Sequence, residues 1–406
     1  MIKHCYQLSE HSQLTNIDLT PEDVQTLLAL FVGKLDVTTN IDTNKYNLQS
    51  YQYAGVIALP HTKIIIEPKT KIVNLNYMVS KVYGLATFQN CATELGSIKE
   101  WSDFVLLLFL ELLRELTSKG LNKHFQEIKE NSTTIKGGID FVKQAKENFG
   151  YLLQHHCNYT EVSSNTIENQ ILKLALHQVY LICELESELI WQLNKLEKYF
   201  TNVNLPNLIK INFSQLSFNR LNEQYRRPLA LAQMILEMCS PLLEGRSHLF
   251  PAFLIDLNRL FERYVADRLA KICTNYQHLF ENKLTLDYQT HDYLDKTSQI
   301  RIIPDLVLSS GEKALAVIDT KYKLATSELN RDYYQIISYC LAKNTLCGVL
   351  VYPNWEIKRE KIYIKNSPLV VECIGVVLDK GVQELNGSIE IILDTIINYF
   401  RDKIIT

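Results

Sequence analysis

The stretch IPDLVLSSGEKALAVIDTKYK, residues 303–323, constrains the fold more than any other part of the chain. Its two apolar runs are short, and Ser309-Ser310-Gly311-Glu312 between them has turn chemistry. The stretch therefore reads as a hairpin inside a sheet. Three charges interrupt it: Asp305 directly after Pro304, and Asp319 and Lys321 at the end of the second strand. Strand side chains alternate, so Asp319 and Lys321 share a face, and an antiparallel hairpin can set Asp305 across from them. Two carboxylates at one sheet edge repel unless a cation lies between them. Such oxygen ligands suit Mg²⁺, which retains waters and pairs with substrate phosphate. A lysine beside them can position or help deprotonate an attacking water, an arrangement suited to in-line attack on a phosphodiester. The plainer alternative is a salt-bridged hairpin in which Lys321 only neutralises Asp319. Acid-x-Lys alone is common. The order Pro-Asp, turn, Asp-Thr-Lys, helix, strand is more specific and favours the metal site.

The rest of the chain bounds the setting. Its 406 residues, 47% hydrophobic, suit a multidomain α+β protein. A net charge of −3 gives little general attraction for a polyanion, so DNA contact should be local or assisted by a partner. The nine cysteines form no CxxC pair, which points to free thiols in a reducing cytoplasm. No signal peptide is expected at the N-terminus, and the apolar stretch near 104–113 is broken by Glu111 and too short to span a bilayer.

Three segments follow from periodicity. Residues 1–100 read as a β-rich module with a hairpin in YQYAGVIALPHTKIIIEPKTKI. Residues 101–245 read as a helical middle region. Its first helix is expected to be capped by Ser102 and to end at Gly120, and a long helix is expected over 166–199 with Asn165 and Glu168 at capping-box spacing. Another helix is expected over 228–243. Residues 246–406 read as an α/β domain with a mixed sheet: a helix over 252–273, the strand LTLDY, the hairpin, a helix over 328–342, the strand CGVLVYP, further strands and a final helix. His155-His156-Cys157 lacks a second ligand pair at zinc spacing and is expected in a local turn. No Walker A motif occurs, so the chain is not expected to hydrolyse nucleotides itself.

Pro304-Asp305 with Asp319-Thr320-Lys321 resembles the motif of the PD-(D/E)xK nuclease superfamily. The surroundings resemble its McrC branch, the nuclease subunits of McrBC modification-dependent restriction systems. The likeness covers most of the chain: YAGVIALP and IIIEPK, SKGLNKHF, IKGGIDF, FLIDLNRLFERYVADRL and DYYQIISYC. It departs at Ile303, where the family often has Arg, and at Lys136-Gly137-Gly138-Ile139, where the family has Arg-Gly-Arg-Ile.

The resemblance implies a restriction-endonuclease-like C-terminal domain and Mg²⁺ as cofactor. Asp305, Asp319 and Thr320 would bind the metal, and Lys321 would organise the attacking water. Gln335, in Tyr-Tyr-Gln, would support the lysine or a phosphate, although its position off the apolar stripe also fits a solvated helix residue. Glu262 would be a further metal acid or a supporting group, against an intrahelical pair with Arg259. The implied partners are double-stranded DNA, methylated, and a GTP-hydrolysing AAA+ ring of McrB type, on which the β-rich module of residues 1–100 and the helical middle would dock and whose NTPase the chain stimulates. Membrane attachment is not expected. Two other readings stand beside this one: an adaptor that mainly stimulates the ring with a vestigial nuclease, and a stand-alone repair nuclease.

Overall fold

The computed structural model describes all residues except 1–3, 41, 86–96, 151–152, 183–186, 207–212, 214–215, 240–251, 324–328, 354–358 and 405–406. The chain forms two compact units, one of residues 1–102 with 252–406 and one of residues 103–251. The β-rich N-terminal segment and the C-terminal α/β segment thus belong to one unit.

A four-stranded sheet explains this union. Its order is His4–Ser9, Thr62–Glu67, Tyr53–Ala58, Ala252–Asp256. Tyr53–Ala58 and Thr62–Glu67 form the expected hairpin, with Gly55 opposite Ile66. Ile57, Ile64 and Ile66 share one face and are fully buried, as the alternation demands, and Ala54 is buried on the other face. The strand Ala252–Asp256 pairs antiparallel with Tyr53–Ala58. Gly55 permits that pairing: its φ is +141°, and a Cβ there would lie 1.9 Å from the Phe253 carbonyl oxygen.

This strand corrects the expectation that a helix begins at Ala252. Phe253, Leu254 and Ile255 are all buried, so the run has no exposed helical face. The helix is Leu257–Tyr276, and Asp256 caps it by accepting from the Arg259 amide. A short apolar run is ambiguous between the two states by periodicity alone.

The same unit contains a six-stranded mixed sheet, in the order Leu284–Tyr288, Leu306–Ser310, Lys313–Thr320, Cys347–Pro353, Val370–Val376, Glu360–Tyr363. The first three strands are antiparallel, and Lys313–Thr320, Cys347–Pro353 and Val370–Val376 are parallel. The strands Cys347–Pro353 and Val370–Val376 are buried on both faces, as their apolar sequences favour, with Glu372 buried in the second and ion-paired to Arg359. Helix Leu329–Ala342 packs Ile336 and Cys340 against one face, over Val317, Leu350 and Val371. The N-terminal segment reaches the last helix, Val382–Ile404, through polar contacts: Asn74 Nδ2 donates to Leu378 O at 2.8 Å and Tyr77 Oη donates to Asn386 Oδ1 at 3.0 Å.

In the second unit, a three-stranded sheet runs His124–Ser132, His155–Ser163, Gly138–Ile139. His155 and His156 therefore begin a strand, not the expected turn. Helices Ile167–Ile182 and Ser187–Glu197 occupy the stretch expected as one long helix, with 183–186 outside the described residues. The cap of the first is Thr166, whose hydroxyl accepts from the Asn169 amide at 3.2 Å. Asn165 instead accepts from Asn204 N and Gln170 Nε2. The helix expected over 228–243 is Arg226–Cys239, and the end of that expectation lies outside the described residues. Helix Ile98–Lys119 starts earlier than expected. Ser97 and Glu100 form its capping box, and the hydroxyl of Ser102 turns inward to donate to Ile98 O at 2.8 Å. Among the described residues, no helix is long and apolar enough to cross a membrane.

Candidate active site

The hairpin register sets the carboxylates face to face. Leu306 pairs with Ile318, so the next positions outward are Asp305 and Asp319. The Asp305 carbonyl accepts from Gln289 N at 2.8 Å, extending the ladder past Leu306. On the other side, Asp319 pairs in parallel with Leu350, and Lys321 N donates to Val351 O at 2.8 Å. The three functional positions are thus fixed by main-chain bonds on both flanks.

Their side chains differ sharply in environment. Asp305 is half-buried, and its Oδ2 accepts from both the amide and the hydroxyl of Thr320, at 2.7 and 2.9 Å. The Thr320 hydroxyl therefore serves to orient Asp305. Asp319 is 1% exposed. Lys321 Nζ lies 2.6 Å from its Oδ2 as an ion pair, and its Oδ1 has no hydrogen-bond partner among the described residues. Burial, then the charge of Asp305, raise the Asp319 pKa, and Lys321 opposes them without cancelling them. A buried carboxylate with an unsatisfied oxygen is costly unless something else satisfies it.

Lys321 Nζ also donates to Gln335 Oε1 at 3.0 Å, and Gln335 Nε2 donates to Tyr339 Oη at 2.7 Å. Gln335 is therefore at the site and not a solvated helix residue. Burial alone would pull the ammonium down, but Asp319, Asp305 and Asp332 together outweigh it and hold Lys321 above the usual lysine value. Its charge is locked in, so in this state it acts as a donor.

A cleft of about 410 Å³ opens over this group, lined by His11, Glu262, Asp305, Thr320, Lys321 and Gln335 among others. Glu262 has a partner outside its own helix. Its Oε1 accepts from Gln289 Nε2 at 2.8 Å. Burial and then Asp305 raise its pKa, while Gln289 and Tyr288 oppose the shift. It faces the same cleft, but among the described residues no three His, Cys, Asp or Glu side chains converge tightly enough to hold a metal as they stand. The donor set that fits a cation is the Asp305–Asp319 pair. The unpartnered Asp319 Oδ1 is what a hard divalent ion would complete, with water filling the rest of its shell.

Several cleft residues had no motif to announce them. Asp332, 3% exposed, accepts from Lys323 Nζ at 3.1 Å and from Tyr352 Oη at 2.9 Å. Its acid position in the first turn of helix Leu329–Ala342 was the one available signal. His11 comes from the N-terminal segment, and nothing in its local sequence connects it to residues 305–335.

Residues 48–353 match the family described as McrBC 5-methylcytosine restriction system component. The chain belongs to that family. No curated protein matches it in sequence. Among solved structures, it is similar to a chain of the Thermococcus gammatolerans assembly of McrB AAA+ hexamers with bound McrC. The TM-score is 0.57 at 16% identity, covering 97% of this chain and 100% of that one. A Thermococcus gammatolerans McrBC complex also matches, with a TM-score of 0.43 at 20% identity over 65% of this chain and 87% of that one. The first likeness bears on fold and extends over both units. The McrC-like assignment reached from Pro304-Asp305 and Asp319-Thr320-Lys321 agrees with the family match.

Proposed function

We propose that this McrC-like chain is the DNA-cleaving subunit of a modification-dependent restriction system, acting by Mg²⁺-dependent phosphodiester hydrolysis while docked on an AAA+ NTPase ring. The observation that carries the reading is the junction of Asp305, Asp319, Lys321 and Gln335 in one cleft. Mg²⁺, held by Asp305 and Asp319, would supply Lewis-acid polarisation of the phosphate and a site for the nucleophile.

The protein's own groups do the positioning. Thr320 orients Asp305 through two donors to one carboxylate oxygen. Gln335 and Asp319 hold the Lys321 ammonium at the cleft, where it donates to a phosphate oxygen or to the entering water and stabilises developing negative charge. Tyr339 fixes the Gln335 amide in the orientation that presents Oε1 to Lys321.

The second unit suits docking. Phe125 and Val162 face each other across its ladder and are 79% and 53% exposed; Phe141 and Phe149 are 76% and 86% exposed. Large apolar side chains exposed in this number mark an interaction surface. By family, the partner is a ring of the McrB kind that hydrolyses GTP and selects methylated DNA.

The test combines purified chain, the AAA+ partner, NTP, Mg²⁺ and plasmid DNA with or without methylation. Linearisation of the methylated plasmid, dependent on the ring, is expected. Full stimulation of the partner's NTPase with no cutting in any divalent cation would instead establish the adaptor reading. Efficient cutting by the chain alone at physiological salt would establish the stand-alone nuclease.

A further inference from the structure

We infer that His11 contacts a DNA phosphate beside the scissile one, so that the turn between strands His4–Ser9 and Gln13–Ile17 positions substrate in the Asp305–Asp319 cleft. The inference rests on the nuclease reading above. It assigns a substrate-binding role to a residue of the N-terminal segment, far in sequence from the catalytic hairpin.

Four observations carry it. First, His11 lines the same cleft as Lys321, Lys323, Arg331 and Gln335. It is exposed there, and among the described residues its imidazole has no hydrogen-bond partner.

Second, the backbone is held in an unfavourable state to put it there. His11 has φ +49°, in the left-handed region. Such a conformation costs a non-glycine residue on the order of 1 kcal/mol or more and persists only where the surroundings impose it. The surroundings do impose it. His11 N donates to Tyr51 O at 3.1 Å, Glu10 N to Glu67 O at 2.9 Å and Ser12 N to the Ser50 hydroxyl at 3.0 Å.

Third, the turn is tied to the catalytic strand by a buried polar link. Glu10 is 1% exposed. Its Oε1 accepts from Lys69 N at 2.6 Å and from the Tyr322 hydroxyl at 3.0 Å, and that hydroxyl also shares a hydrogen bond with Thr70 at 2.8 Å. Tyr322 directly follows Lys321. A buried carboxylate is an expensive way to secure a surface turn, and it fixes His11 in register with the ammonium.

Fourth, two of the three lysine and arginine side chains that line the cleft are already paired, which leaves Arg331 and His11 as its exposed basic groups. Lys321 is paired with Asp319, and Lys323 with Asp332 at 2.9 Å. The floor presents carboxylates for a cation, so the phosphates on either side need donors from the rim. Burial, then the nearby charge of Lys69, hold the imidazole below its usual pKa. At neutral pH it offers one N–H, which a phosphate oxygen accepts.

The test uses the full chain with its AAA+ partner and a short fluorescent duplex, reading duplex affinity and the steady-state constants of cleavage. His11→Asn is the decisive variant. Asparagine tolerates the left-handed region, so the turn is kept, but its side chain is too short to reach the phosphate. The expected result is a rise of about five- to tenfold in Kd and KM, the loss of one hydrogen bond, with kcat within about twofold and an unchanged Tm. His11→Gln, which keeps a longer N–H donor, should recover most of the affinity. Wild-type KM and Kd in His11→Asn would overturn the inference, as would a fall confined to kcat. Should the wild type cut nothing, the nuclease reading falls by itself. Equal duplex affinity of wild type and His11→Asn would then overturn the His11 role too, and weaker affinity of the variant would uphold it.

Discussion

Asp319→Asn should abolish cleavage, by about a thousandfold or more, while raising the Tm of the cation-free protein. The two effects share one cause. Asp319 is 1% exposed, and its Oδ1 accepts no hydrogen bond among the described residues. Burial and the charges of Asp305 and Asp332 outweigh the attraction of Lys321, so the ionised form is disfavoured in the folded state. Asparagine keeps the shape and removes that charge. It also removes a cation ligand, and several kcal/mol of transition-state stabilisation correspond to about three decades in rate.

The pH dependence follows with a definite sign. The folded pKa of Asp319 is raised above its ordinary 3.8. Its contribution to stability is fully present below the unfolded pKa and is lost as pH rises through the folded one. Without divalent cation, the wild type should lose stability relative to Asp319→Asn as pH rises from about 4 toward neutrality. Thermal melts of both proteins over that range check it. Parallel curves, or a wild type more stable than the variant at neutral pH, would contradict the assignment of Asp319 as a destabilised ligand.

Lys321→Ala should reduce kcat by about a hundredfold to a thousandfold, the usual cost of losing a preorganised donor to developing charge. Divalent-cation affinity should change little, because the carboxylate pair remains. Lys321→Arg should not restore activity. The ammonium sits between Asp319 Oδ2 at 2.6 Å and Gln335 Oε1 at 3.0 Å, a slot matched to a compact point donor. A planar guanidinium is larger and presents its donors in a fixed fork. Neighbouring carboxylates already keep Lys321 charged, so the failure of arginine would reflect shape and not loss of a base. Single-turnover cleavage with both variants decides the point. Full activity of the arginine variant would mean that charge alone matters.

The hairpin that carries Asp305 and Asp319 was legible because its information is local. Alternation, the turn at Gly311 and the spacing of Asp305 from Asp319 together determine which side chains share a face. Gln335 was half-legible: its helix was evident, but the bond to Lys321 depends on how that helix crosses the sheet. What escaped was long-range. The strand Ala252–Asp256 takes its conformation from pairing with Tyr53–Ala58, and its own five residues favour neither state. That one pairing joins segments that composition separates at residue 100 and residue 246. It also places His11 and Glu10 in the compact unit that contains the hairpin. The caps show the same thing on a small scale. Ser97, Ser102, Asn165 and Thr166 all have capping chemistry, and only the path of the chain selects Ser97 and Thr166.

Calorimetric titration of the full chain with Mg²⁺ measures the Asp305–Asp319 pair as a cation site most directly. The wild type should bind the ion, Asp305→Ala should lose affinity by about tenfold or more, and Glu262→Ala should lose less, because Glu262 is hydrogen-bonded to Gln289 and stands outside the pair. Absence of Mg²⁺ binding by the wild type, or equal affinity in Asp305→Ala, would contradict that site.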